Sequence, residues 1–89
     1  MPGEEATAVL VALAQDAREA PVVRYTAGVS LVHQGTVASL AAGVRVARAA
    51  TLPHLRREIA KAFSRFAHAP RGSALLRQTF GQNGVPDLG

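Results

Sequence analysis

His54, Arg57, Lys61, Arg65 and His68 recur at spacings of three and four. On an α-helix, at about 100° per residue, that places all of them on one side. Arg57, Lys61 and Arg65 are like charges at i,i+4, an arrangement that costs an isolated helix a few tenths of a kcal/mol per pair. A bound polyanion reverses the sign of that cost. Cationic side chains on one helix face suit phosphate contacts, with counterion release and a steep salt dependence. Arg45, Arg48 and Arg71 extend the candidate anion-binding set. The stripe offers no Asn or Gln for base edges, so phosphate contact is the expected mode rather than sequence readout. The plainer reading is a solvated face with no partner.

The opposite side of the same segment carries Leu52, Leu55, Ile59, Ala62, Phe63 and Phe66. This is a core stripe at helical period. It predicts that Phe63 and Phe66 are buried and not available to stack on bases. The charge is segregated along the chain as well. Residues 45–77 hold Arg45, Arg48, Arg56, Arg57, Lys61, Arg65, Arg71 and Arg77 against Glu58 alone, whereas Glu4, Glu5, Asp16 and Glu19 outnumber Arg18 and Arg24 before them.

Other chemistries find little support. With no cysteine, there is no thiolate metal site, disulfide or cysteine nucleophile. His54 and His68 lie about 21 Å apart on a continuous helix and cannot share an ion, and His33 stands alone in an apolar run. No metal and no cofactor are expected. Gly28, Gly35 and Gly43 are too widely spaced for a dinucleotide-binding fingerprint. The acids sit mainly in the first segment, with no pair poised for acid–base work. The expectation is a non-enzymatic protein with no small-molecule substrate implied.

The elements that must position the basic face follow from apolar period and punctuation. Ala6, Leu10, Leu13, Ala17 and Ala20 recur behind Glu4 and Glu5, which predicts a helix over about 4–19, ended by Pro21. Residues 22–36 admit two readings. Val22–Thr26 and Val29–His33, with Gly28 and Gly35, resemble a β-hairpin; they equally begin a long helix whose glycines mark close packing. Residues 37–51 read as helix. Gly35, Ser39, Gly43 and Ala47, spaced by four, form a candidate helix-packing or oligomer seam. Thr51 and Pro53 are expected to open the basic helix, which runs to about 69 and is ended by Pro70 and Gly72. Ser73 is placed as the cap of a short last helix over 74–80, and residues 81–89 read as a flexible tail.

Thr36–Arg45 also resembles the first helix and glycine turn of bacterial helix-turn-helix regulators, and Thr51–Leu55 the end of a recognition helix. The resemblance covers residues 36–55 and implies DNA binding. The chain departs from that pattern in the longer spacing from Val44 to Thr51 and in Pro53, which would cut the second helix short.

Eighty-nine residues form one domain, placed at 1–80. The apolar content is mostly Ala and Val, with Phe63, Phe66, Phe80 and Tyr25 as the aromatics. Small side chains bury little area each, so homo-oligomerisation is a reasonable supplement. Thr26–Val44 lacks formal charge but contains His33, Gln34 and several hydroxyls, too polar for lipid. A membrane partner is not expected, and a cytoplasmic location is the default. The expected fold is all-α, with three main helices and a short fourth, the alternative being α+β with a hairpin at 22–36. The expected function is binding of an anionic partner, nucleic acid first. The alternative is an assembly or adaptor subunit facing an acidic protein surface.

Overall fold

The computed structural model describes residues 2–81, 84 and 86–88. Among them the chain forms α1 (Pro2–Gln15), α2 (Pro21–Gln34), α3 (Val37–Ala49), α4 (Leu55–His68) and α5 (Pro70–Phe80), with no strand. The all-α class holds, and the hairpin at 22–36 is replaced by α2. Helix α2 packs on α1, α3 and α4, and α5 closes the bundle against α3 and α4.

There are five helices rather than four because the long helix expected through 22–51 breaks at Gly35–Thr36. Gly35 takes φ 65°, the left-handed cap conformation, and its N–H donates to the Val32 carbonyl. Thr36 then starts α3 with a reciprocal cap. Its Oγ1 accepts from the Ser39 N–H and Ser39 Oγ accepts from the Thr36 N–H, both at 3.0 Å. Breaking the helix leaves backbone groups without intrahelical partners, and the two caps back to back satisfy part of them.

Proline works differently from expectation. Pro21 does not end α1, which stops before it, and both Pro21 and Pro70 are first-turn residues of the helix that follows. Pro53 lies in the turn before α4, and Thr51 does not cap that helix. The N-cap is His54, in the left-handed region at φ 70°. Tyr25 Oη donates to the Pro53 carbonyl at 2.8 Å, fixing this turn to α2. Ser73 lies inside α5, not at its start. Helix α1 stops at Gln15 rather than 19. Asp16 Oδ1 accepts from the Arg18 backbone N–H at 2.9 Å, a side-chain turn that competes with the helical ladder.

The large apolar side chains on α4 define the core. Ile59 Cδ1 and Leu55 Cδ1 lie against Gly28, Phe63 against Gly43, and Phe66 against Gly35 and Gly72. Leu31, Leu40, Val46 and Leu76 complete the interior. Phe63 meets Phe80 edge to face, with ring centroids 6.0 Å apart. Of the C-terminal segment, Gly84 is buried and Leu88 packs on the core. Gln82, Asn83, Val85 and Gly89 of the tail expected at 81–89 lie outside the described residues.

Gly72 sits where α5 turns back on α4. A Cβ there would collide with the Phe66 carbonyl oxygen, a backbone atom that cannot rotate away. At Gly28 a Cβ would meet Ile59 Cδ1 at 2.9 Å, the far end of a flexible side chain. Alanine at Gly28 also gains about 1 kcal/mol of helix propensity. Urea unfolding is therefore expected to show Gly72→Ala losing about 2–3 kcal/mol and Gly28→Ala less than half of that.

The Asp16 carboxyl is held below its usual range, chiefly by the Arg18 backbone N–H, then by the Arg18 side chain. Asp16 therefore favours the fold above its unfolded pKa of about 4, and that contribution fades as pH falls through its lower folded value. In Arg18→Ala the Asp16 midpoint, followed by NMR, stays below the ordinary value, because the largest cause is main chain.

Candidate anion-binding surface

Helix α4 is the strongly amphipathic element. Leu55, Ile59, Ala62 and Phe63 are buried, while Arg57, Lys61, Arg65 and His68 are exposed on the far side. The burial of Phe63 accounts for this orientation, since turning α4 outward would expose the largest core side chain. No hydrogen bond or ion pair engages the side chains of Arg57, Arg65, His68 or Arg71 among the described residues. Lys61 is the exception: its Nζ lies 3.4 Å from Glu58 Oε1. Both groups are solvated, so this pair is worth little and opens readily to another anion.

The candidate residues do not form one continuous patch. His54 and Arg57 border a shallow groove of about 680 Å³ between the start of α4, the 50–54 turn and the tail, with Arg56 beside them. Arg65 and His68 lie in the last turn of α4, and Arg71 follows in the first turn of α5. That turn has no side-chain cap, so its N-terminal end adds positive potential there. His54 is not on the helix proper, as its φ of 70° shows.

Arg45 and Arg48 belong elsewhere. Arg45 borders a groove between α1 and α3 that also holds Glu4. Arg48 donates from Nε and Nη2 to the Asp87 carbonyl, at 3.0 and 2.6 Å, and so ties the C-terminal segment to α3. The small-residue stripe lies inside the bundle: Ser39 and Ala47 are fully enclosed and Gly43 touches Phe63. Gly35 is the α2 cap rather than part of that helix face. The glycine-turn resemblance is corrected by the same geometry, since Gly43 is mid-helix in α3 and no turn occurs there.

Two arginines have roles absent from the sequence reading. Arg56 donates from Nε to the Ala47 carbonyl at 3.0 Å and from Nη2 to the Arg48 carbonyl at 3.3 Å. It thereby caps the negative end of α3. Arg24 is buried and donates from Nε to the Ala14 carbonyl at 2.9 Å, closing the end of α1. A signal for Arg24 exists in the sequence: it shares a helix face with Ala27, Gly28 and Leu31, so a lone cation sits on the apolar stripe.

No family model matches the chain, and no curated protein or solved structure matches it. Among the described residues no helix is long and apolar enough to cross a membrane. Nor do three of the His, Asp and Glu side chains converge there as a metal-ion set.

Arg56 and Arg57 are adjacent in sequence but differ in work. Thermal or urea unfolding is expected to show Arg56→Met losing about 1–2 kcal/mol, the two carbonyl bonds at the end of α3. Arg57→Met is expected to change stability by less than about 0.5 kcal/mol, as at other solvated positions.

Proposed function

We propose that the outer face of α4 binds a polyanion, nucleic acid first, through phosphate contacts from Arg57, Lys61 and Arg65. The observation that carries this reading is a row of cations at i,i+4 on a helix that itself carries a single acid, Glu58, paired with Lys61, while Asp87 of the C-terminal segment borders the groove at the Arg57 end. A face that serves only solvation gains from alternating signs; this one forgoes that gain. His54 and Arg57 at one end and His68 and Arg71 at the other lengthen the footprint along α4. The mode is backbone contact, because the row lacks amide side chains for base edges. The convex, helical face also fits the major groove of a duplex in width. No catalytic role is assigned to any of these residues.

Fluorescence anisotropy with a short DNA duplex and an RNA of equal length, at low ionic strength, tests the proposal. Binding is expected to weaken steeply with salt. Each of Arg57→Gln and Arg65→Gln should lower the slope of log K against log salt by about 0.9 on B-DNA. The triple Arg57→Glu, Lys61→Glu, Arg65→Glu variant should abolish binding while circular dichroism stays helical. Absence of binding at low ionic strength, or binding that the triple variant retains, rejects it.

A further inference from the structure

Arg24 is 8 % exposed, yet it is not paired as buried charges usually are. Among the described residues its guanidinium makes one hydrogen bond, from Nε to the Ala14 carbonyl. No carboxylate lies within ion-pair distance of it among the described residues. Asp16 feels the Arg24 charge only weakly and is bonded to Arg18 instead. No fully enclosed side-chain nitrogen or oxygen lacks a partner among the described residues. The two terminal nitrogens of Arg24 are therefore not sealed in protein. Arg24 lines a partly enclosed cavity of about 190 Å³.

The walls define what fits. Val46, Ala49, Ala50 and Leu55 supply an apolar side, and Gln15 and Thr51 stand at the solvent end. A cavity of about 150 Å³ accommodates a benzene ring, so the space here takes an anionic head and a few carbons. The charge is equally restrictive. The ends of α1 and α3, at Gln15 and Ala49, both border the cavity and turn negative potential toward it. Among the described residues Arg24 is the only cation lining it. The α3 end is already offset by Arg56, so Arg24 beside the end of α1 leaves room for at most one negative charge, which favours a carboxylate over a phosphate dianion. With Nε committed to Ala14, the Nη1–Nη2 edge is left for two parallel bonds to the carboxylate oxygens.

We propose that this cavity is a binding site for a small monocarboxylate, held by Arg24 with its apolar tail against Val46, Ala49 and Leu55. The site is separate from the α4 face and does not depend on nucleic-acid binding.

Two-dimensional NMR of the whole chain, titrated with butyrate, butyramide and inorganic phosphate at matched ionic strength, tests it. Butyrate is expected to give saturable shifts confined to Ala14, Arg24 Nε–H, Val46, Ala49 and Leu55, and to raise the melting temperature relative to sodium chloride. Arg24→Gln should weaken binding about tenfold or more. If that variant does not fold, Ala49→Leu serves instead: it leaves the Arg24–Ala14 bond in place, fills the exposed mouth, and should block the response. Equal shifts with butyramide, stronger binding of phosphate, no saturable butyrate response, or an unaltered response in Ala49→Leu each overturns the proposal.

Discussion

The fit of one row of large side chains into glycine sites governs this molecule. Leu55, Ile59, Phe63 and Phe66 all project from α4, and they meet Gly28 on α2, Gly35 at its cap, Gly43 on α3 and Gly72 on α5. The chain has few large apolar residues, and most of its apolar content is Ala and Val. A thin supply of bulk packs to density only if the facing backbones come close. Glycine permits that approach, and its cost in helix propensity is offset by the burial of a Phe or Ile.

The orientation of α4 follows from the same constraint. With its apolar row locked inward, its cations can only point outward. The basic surface is thus a by-product of core packing as much as a binding device. What sets it apart from a merely solvated face is the near absence of compensating acids along it. The arginines that do find partners serve the fold. Arg56 and Arg24 cap the ends of α3 and α1, and Arg48 holds the C-terminal segment. In a bundle of short helices, many unsatisfied carbonyls lie near the surface, and long guanidinium side chains satisfy them from neighbouring elements.

That division of labour shows what was legible. The amphipathic face of α4 was readable because its residues are periodic within one helix, and period alone assigns inward and outward sides. Arg57, Lys61, Arg65 and His68 therefore lie exposed together. Arg48, Arg56 and Arg24 were not readable in this way. Their partners are carbonyls remote in sequence or on another helix, and every residue carries a carbonyl, so composition gives no hint of which one is met. Proline was ambiguous for a related reason. In sequence Pro21 and Pro70 read as helix ends, and in the structure they are helix starts, because a proline suits the first turn of a helix as well as it bars the interior.

The sequence by itself determined a mostly helical chain with one amphipathic basic helix and left 22–36 between helix and hairpin, because helical period, the placement of proline and the segregation of charge are local properties. Only the tertiary structure decided that the helix expected across 22–51 is two helices, since Gly35 and the Thr36–Ser39 cap prevail once α2 and α3 each pack on α4. It also decided that the small-residue stripe faces the interior, and that Arg24 stands with its charge at the edge of a cavity. Those outcomes depend on which surfaces meet in three dimensions, and residue spacing along one chain does not specify that.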